Sequence, residues 1–557
     1  MPASVYSYTD DFCIAFFVEG CDNMIDINLN NVNKSYGFDK ILNNINLNIN
    51  KGEKVALIGS NGCGKSTLLK IIAGKETINS GEISIRKGVT IGYLSQLPKE
   101  NNIMVSDYIY NTFSELLLLK EKLEKLEKNL SSDIKIINKY TKLQEKFINL
   151  GGYEFETKIR KVLSAFSITE EMLERNFNTL SGGEKTICSL IRLILIEPDI
   201  LLLDEPTNYL DIKRIEWLEK YLNSIKSTVI LVSHDRYFLD KVINKTILIT
   251  KRGLEIYFGN YSYFIKENEN RLLLEFKKYK DQEKIISAMK KAIKKLQEFG
   301  KLCSPTGGEI FFRRAASIQK RLEKMEKLDK PENKKTINLK FDTKERSGKQ
   351  VIKLEKFSLG FKEKVLLDNI DFNLFYRDKC CIVGENGVGK TSFIKEIINN
   401  KDYIGSNIKL GYVSQEISFD NINLTVLEEA RRYFIGPEEY LRSALYKFLF
   451  VGENIHKKIK YLSGGEKVRL KLFCLIQDNY NFLILDEPTN HIDIDTREIL
   501  ENALIDFDGT ILFISHDRYF INKVATTIVE IKNNKIFKYI GNYDDYIKEF
   551  KTSQSKK

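Results

Sequence analysis

Two octapeptides, Gly59-Ser60-Asn61-Gly62-Cys63-Gly64-Lys65-Ser66 and Gly384-Glu385-Asn386-Gly387-Val388-Gly389-Lys390-Thr391, stand 325 positions apart and share one pattern of glycines closed by a lysine and a hydroxyl. Each follows an apolar run (Val55 to Ile58; Cys380 to Val383) and precedes a helix-like stretch (Leu68 to Ala73; Phe393 to Ile398). Strand, loop and helix in that order are the context a phosphate-binding P-loop requires. Glycines let successive backbone N–H groups converge on phosphate oxygens, and the helix N-terminus adds partial positive charge. On this reading Lys65 and Lys390 reach the β/γ-phosphates, while the Ser66 and Thr391 hydroxyls ligate Mg²⁺. A single copy is compatible with a chance glycine turn; two copies in matching context make two nucleotide sites the stronger reading.

The duplication extends beyond the glycine loops. Gln96 ends Gly-Tyr-Leu-Ser-Gln and Gln415 ends Gly-Tyr-Val-Ser-Gln. Leu180-Ser181-Gly182-Gly183-Glu184 matches Leu462-Ser463-Gly464-Gly465-Glu466, and Leu203-Asp204-Glu205-Pro206-Thr207-Asn208 matches Leu485-Asp486-Glu487-Pro488-Thr489-Asn490. Ser233-His234-Asp235-Arg236-Tyr237 matches Ser515-His516-Asp517-Arg518-Tyr519. From Ser181 onward the offset is a constant 282, but the two glutamines differ by 319, so the first copy carries 37 extra residues between Gln96 and Ser181. Leu116, Leu119, Leu123, Leu126 and Leu130 recur there at helical spacing among Lys and Glu, which predicts a two-helix arm over about 115–150.

At 557 residues and 43% apolar the chain has material for several cores. It contains no apolar run of about 18 residues, so no membrane span is expected. Phe12 to Val18 resembles a short signal core, yet Asp10 and Asp11 stand where an export signal needs positive charge; residues 1–23 are read as a leader or extension. Eight cysteines occur without a Cys-x-x-Cys pair, which argues against zinc and disulfides and for a reducing cytoplasm. Of the net charge of +11, residues 277–335 hold 18 Lys/Arg against 8 Asp/Glu, a net of +10. An excess that local points to an anionic partner.

The basic stretch lies between the copies. Ile286, Met289, Ile293 and Leu296 form one apolar stripe and Ile318, Leu322 and Met325 another, separated by Cys303-Ser304-Pro305-Thr306-Gly307-Gly308. Two helices meeting at that tip predict an antiparallel hairpin with lysines outward. A solvated spacer is the bland alternative. Phe311-Phe312 beside Arg313-Arg314 joins stacking surfaces to guanidinium forks, a combination suited to RNA contact.

Hydrolysing a γ-phosphoryl group requires positioning and charge neutralisation. Asp204 and Asp486 end apolar strands, where a carboxylate helps hold Mg²⁺. Glu205 and Glu487, one residue on, are the candidate general bases. His234 and His516 follow two further apolar strands and are candidate γ-phosphate sensors; they are two of only four histidines in the chain. Ser-Gly-Gly-Glu makes an anion-binding helix start that is suited to nucleotide held by the other copy.

Taken together these residues resemble the ABC ATPase cassette, present twice, with D-loops at Leu210-Asp211 and Ile492-Asp493. The resemblance implies an α/β fold of two tandem P-loop ABC ATPase domains, 24–261 and 336–550, joined by a helical-hairpin linker, 262–335, and followed by a short basic tail, 551–557. It implies ATP contacts from Tyr36, Gly59, Asn61, Gly62, Gly64, Lys65, Ser66, Thr67, Gln96, Ser181, Gly182 and Gly183 in the first copy. In the second they come from Phe361, Gly384, Asn386, Gly387, Gly389, Lys390, Thr391, Ser392, Gln415, Ser463, Gly464 and Gly465. Mg²⁺ falls to Ser66, Gln96, Asp204, Thr391, Gln415 and Asp486. The same resemblance implies head-to-tail pairing, Lys65 opposite Ser463 and Lys390 opposite Ser181, within a monomer.

Two cassettes on one chain, an arm in the first and a basic hairpin between them look like the ABC-F family. Members bind the ribosome near the tRNA exit site, with the hairpin extending towards peptidyl tRNA, so rRNA and tRNA of a bacterial ribosome are the implied partners. Some members are translation factors and others protect ribosomes from antibiotics. The elaborate tip over Lys301 to Arg314 is closer to the protective kind, with a housekeeping factor as runner-up. An ATPase subunit of a membrane exporter leaves the arm and linker without a role. A DNA-repair or chromosome-maintenance ATPase would carry zinc modules or very long coiled coils, and neither is visible. Copy one departs from the pattern in having Tyr209 where His491 stands.

Overall fold

The computed structural model describes residues 24–60, 62–95, 102–128, 134–250, 253–302, 308–326, 328, 347–361, 364–414, 417–478, 480–489, 492 and 494–554. Each half is built on a six-stranded sheet. In the first half the spatial order is Ile91–Leu94, Ile200–Asp204, Thr228–Val232, Lys54–Ile58, Lys245–Thr250 and Gly253–Tyr257. All neighbours pair in parallel except the last two, which form an antiparallel edge. The second half repeats this with Leu410–Val413, Phe482–Asp486, Thr510–Ile514, Lys379–Val383, Thr527–Lys532 and Lys535–Ile540. Every residue of Ile200–Asp204 and Thr228–Val232 is buried, as is expected of parallel strands covered on both faces.

A second, antiparallel sheet packs on one face of each parallel sheet. In the first half it comprises Ile25–Tyr36, Asp39–Asn50 and Ser80–Ile85; in the second, Gln350–Phe361 and Lys364–Phe375. Between the layers lie buried Ile27, Leu47, Val55, Leu69 and Ile230, repeated in the second half by Ile352, Phe372, Cys380, Ile394 and Leu512. The opposite face of each parallel sheet is closed by helices, with Leu190, Ile194, Leu218 and Phe238 in one core and Leu472, Leu500 and Phe520 in the other. This mixed α/β architecture agrees with the fold read from the sequence.

The 37-residue surplus of the first copy includes helices Ser114–Lys128 and Ile134–Asn149. Lys146 near the end of the second reaches Glu115 at the start of the first at 2.7 Å, so the two run antiparallel. Leu116, Leu119 and Leu123 are buried towards the core; Leu126 is half-buried, and Leu130 lies outside the described residues.

The insert between the halves is asymmetric. One 42-residue helix, Tyr261–Leu302, leaves the first half, where Tyr261 and Phe264 are buried, and runs for about 60 Å at 1.5 Å per residue. The 16-residue helix Gly308–Glu323 returns along it. Ile293, Ala315 and Leu322 form the buried seam, flanked by Ile286, Met289, Leu296 and Ile318. Ala315 thus enters the seam unannounced by the sequence stripe, and Met325 lies beyond the end of the helix. Close approach near the tip depends on glycine: a Cβ on Gly308 would sit 2.3 Å from the Gly300 carbonyl oxygen.

The halves meet in a self-complementary polar interface. Arg518 is fully buried and donates to the Glu219 carboxylate across it, 3.7 Å from Asp235 and 4.4 Å above the Tyr237 ring. The counterpart at the 282 offset is Arg236, which lies 3.5 Å from Glu501 and 4.9 Å above the Tyr519 ring. Residue i meeting j while j meets i is the signature of two-fold pairing, here inside one chain.

Candidate nucleotide sites

Each glycine-rich loop turns from its strand into a helix, Lys65–Ile72 or Lys390–Asn399. Gly64 and Gly389 cap these helices at φ 99° and 100°, a left-handed conformation that a side chain resists. A Cβ on Gly64 would also come within 2.8 Å of Ile41 and Leu42. The lysine ammonium groups fold over their own loops. Lys65 Nζ donates to the Gly59 and Ser60 carbonyls at 2.8 and 3.1 Å, and Lys390 Nζ to those of Gly384 and Glu385 at 2.8 and 2.9 Å.

Asp204 and Asp486 end the buried strands beside these loops, with the Ser66 hydroxyl donating to Asp204 and Thr391 Oγ1 to Asp486 Oδ1 at 3.3 Å. Burial raises both carboxyl groups above their usual range, against the pull of the neighbouring hydroxyl and lysines. Asp486 Oδ2 is buried without a hydrogen-bond partner among the described residues. A carboxylate with a spare buried oxygen beside a hydroxyl fits a hard, oxygen-seeking cation such as Mg²⁺.

The next residues, Glu205 and Glu487, adopt φ 52° and 49°, a conformation uncommon outside glycine and repeated in both halves. The bend turns each carboxylate towards the following strand's loop. Glu205 accepts from the His234 backbone N–H at 3.3 Å and lies 3.4 Å from its ring Nε2; Glu487 lies 3.3 Å from His516 Nε2. Desolvation pushes Glu205 up to about 8, with Asp204 adding to the rise and Arg497 and Lys65 opposing it. Glu487 is pushed to about 7 by the same burial, opposed first by Lys390. Burial and nearby cations depress both histidines to about 3, so their imidazoles are neutral at physiological pH. Neutral rings beside glutamates whose carboxyl groups are raised towards neutrality form groups placed to exchange protons with a water.

Two cavities gather these residues. The larger, about 1100 Å³, is shared between the halves: Ser181, Gly182 and Gly183 of the first face Asn386, Gly387, Gly389, Lys390, Thr391, Ser392, Asp486, Glu487 and His516 of the second. Ser181 caps helix Gly182–Ile196 through a capping box with Glu184, which aims the free N–H groups of that helix into the cavity. The Asn386 side chain donates to the Tyr209 carbonyl at 3.1 Å, and Lys213 pairs with Glu385 at 2.5 Å, so the D-loop segment of one half holds the phosphate loop of the other.

The smaller cavity, about 480 Å³, is lined by Tyr36, Gly62, Gly64, Lys65, Ser66, Thr67, Asp204, Glu205 and His234, with Ile492 and Arg497 supplied by the other half. Ser463, Gly464 and Gly465, which begin a helix with the same capping box, are not in the lining of this cavity among the described residues. Ser181 and Lys390 thus line one cavity, whereas Ser463 and Lys65 line no common one among the described residues. Gly59 and Gly384 contribute their carbonyls to the lysines. Asn61, Gln96 and Gln415 lie outside the described residues, as does the side chain of Phe361.

The candidate RNA residues fall on the returning helix of the insert. Phe311 packs near Phe299, ring centroids 6.2 Å apart, and Phe312 lies over Gly300, so both rings also serve the hairpin. Arg313 is 78% exposed and paired with Glu309 at 2.9 Å, while Arg314 is exposed. Arg236, Arg518, Glu219, Glu501 and Arg497 had no assigned role in the sequence reading. The first two sit in the repeated Ser-His-Asp-Arg-Tyr, which was the available signal.

Comparison with known proteins follows the same division. A family model described as "ABC transporter" matches residues 42–208 and 367–490, and a second of the same description, for an extension, matches 247–341. The "Putative ATP-binding protein YdiF" of Bacillus subtilis (strain 168) is 38% identical over 546 residues, 95% of this chain and 84% of the relative. The "ABC transporter F family member 5" of Arabidopsis thaliana is 30% identical, covering 94% of this chain and 77% of its own. The chain belongs to the ABC-F family. Its two ABC cassettes bind and hydrolyse ATP. At the level of the fold, the ABC-F chain is also similar to a solved complex titled "archaeal ribosomal stalk protein aP1 and archaeal ribosome recycling factor aABCE1", with TM-score 0.62, 17% identity, and 94% and 92% of the two chains covered. No helix among the described residues is long and apolar enough to cross a membrane.

Proposed function

We propose that this ABC-F protein is an ATP-driven switch that acts on the bacterial ribosome in the cytoplasm, and that its task is to protect the ribosome from antibiotics. The observation that carries the switch is the shared cavity, in which the phosphate loop of one half and the Ser181 helix start of the other converge on one volume. Nucleotide held there contacts both halves at once, so its binding favours their apposition and its loss releases them. In this reading the working units are 24–261, 262–335 and 336–550.

Within each site the loop N–H groups and Lys65 or Lys390 bind the phosphates. Ser66 with Asp204, and Thr391 with Asp486, would hold Mg²⁺, which would supply charge neutralisation to the phosphates. Glu205 and Glu487 orient and deprotonate the attacking water, and the neutral His234 and His516 fix those carboxylates from one side. The helical insert carries the action outward: a net basic hairpin, whose longer helix spans about 60 Å, presents exposed Arg313 and Arg314 near its tip, with Phe311 and Phe312 adjacent, to rRNA and tRNA. The similarly folded archaeal protein is named a ribosome recycling factor, which agrees with a ribosomal task.

The test is co-sedimentation of the Glu205→Gln/Glu487→Gln variant with ribosomes. The reading expects pelleting with ATP and not with ADP; a variant that stays in the supernatant with ATP contradicts it. Expression in a drug-sensitive bacterium then separates protection from a housekeeping role, because unchanged susceptibility to lincosamides, pleuromutilins and streptogramins A leaves only the latter.

A further inference from the structure

The repeated halves place an arginine differently at their two nucleotide sites. Arg497 stands in the first turns of helix Ile494–Asp506 of the second half, 6% exposed, yet it lines the cavity of the first. Its Nη1 donates across the interface to the His234 carbonyl oxygen at 2.7 Å and, within its own half, to the Asp517 carboxylate. Nη2 donates to the Thr489 carbonyl at 3.1 Å, and Nε is buried without a partner among the described residues. One planar guanidinium therefore ties the His234 turn of one half to the Thr489 and Asp517 turns of the other, a geometry that an ammonium cannot reproduce. Because Glu205 accepts the His234 N–H, any shift of that turn moves the donor that orients the candidate base.

The second site lacks this arrangement. At the 282 offset the counterpart of Arg497 is Ile215, a buried core residue. The neighbouring Arg214, counterpart of Thr496, lines the larger cavity near enough to His516 to help depress its ring, but its Nε faces Asp211 at 3.9 Å, and it makes no hydrogen bond to the His516 carbonyl among the described residues.

We propose that Arg497 is a positioning residue acting in trans on the first site, holding the His234 turn and Glu205 in register for hydrolysis only while the halves are docked. Turnover at the Lys65 site then depends on this guanidinium, whereas the Lys390 site draws its own contacts from the other half through Ser181 and Tyr209. The inference concerns ATP hydrolysis alone and stands apart from the ribosomal reading.

The experiment measures steady-state ATPase without ribosomes in two backgrounds, Glu487→Gln, which leaves the first site to turn over, and Glu205→Gln, which leaves the second. Arg497→Ala is expected to lower kcat about tenfold or more in the first background with KM shifted less than about threefold, and to cost several times less in the second. Arg497→Lys is expected to recover part of the kcat, since it restores one donor and the charge. Equal losses in both backgrounds would overturn the proposal by making Arg497 a general clamp. So would a raised KM with kcat preserved, or no loss at all. If Arg497→Ala proves too unstable to purify, Arg497→Gln and Arg497→Lys carry the same comparison.

Discussion

Removing the guanidinium of Arg518 probes the interface where its energy is most concentrated. The group is fully buried, bonded to Glu219, close to Asp235 and stacked on the Tyr237 ring of the other half. Arg518→Ala leaves Glu219, 6% exposed at its side chain, with Lys241 at 3.4 Å as its remaining cation among the described residues, and takes from Asp235 the nearer of its two cross-interface arginines. Deleting one partner of a buried pair costs about 3–5 kcal/mol, mostly as the penalty of an uncompensated buried charge. Lost stacking on Tyr237 adds about 0.5–2 kcal/mol. At about 1.4 kcal/mol per tenfold, even the lower bound shifts the docked-to-separated equilibrium more than about a hundredfold. Energy transfer between dyes on the two halves, read in the absence of nucleotide, is expected to fall in Arg518→Ala. It is expected to recover in part in Arg518→Met/Glu219→Leu, because the charge left on Glu219 is gone while Asp235 still lacks Arg518. An unchanged docked fraction in the single variant, or a double variant no better than the single, would refute this assignment of the interface energy.

Other consequences are equally concrete. Gly64→Ala forces a Cβ within 2.8 Å of Ile41 and Leu42 at φ 99°, and nucleotide binding at the first site should fall at least about tenfold by titration with a fluorescent ATP analogue. Gly308→Val puts its Cβ against the Gly300 carbonyl at 2.3 Å; the hairpin should lose about 1–3 kcal/mol and become the first site of proteolytic cleavage, while nucleotide-site affinity holds. Folding raises Glu205 to about 8 and Glu487 to about 7, so the native state keeps protons that the unfolded chain releases near 4.5. Their contribution is present at low pH and is lost as pH rises through those values. Melting of the nucleotide-free Glu205→Gln/Glu487→Gln variant should therefore gain on the parent steadily as pH rises from about 4.5 and exceed it most near pH 8.5.

How far the sequence reached depends on the kind of interaction. The paired sheets follow from local patterns: apolar runs of Ile200–Leu203 and Thr228–Val232, each ending at a motif residue, can be read without knowing what they touch. The hairpin seam was visible as two stripes, though Ala315 was too small to register as one of them. Contacts between halves were not legible. Arg518 and Glu219 are 299 positions apart, and no periodicity joins them. The duplicated Arg236 and Arg518 marked the positions but not the acceptors, which lie on the exposed-looking helix Ile212–Ser224 and its repeat. Arg497 was hidden for a further reason: its counterpart is Ile215, so the repeat that exposed everything else averages it away.

The separation between the Ser463 helix start and the Lys65 loop tests the central claim most directly, since these lie in different halves and Ser463 is not in the lining of the Lys65 cavity among the described residues. Spin labels at Lys40 and Tyr461, read by pulsed dipolar spectroscopy in the Glu205→Gln/Glu487→Gln background, report it with ADP and with ATP. The account predicts a shorter, narrower distance distribution with ATP, as Ser463 closes over nucleotide held by Lys65. Identical distributions with the two nucleotides would contradict it.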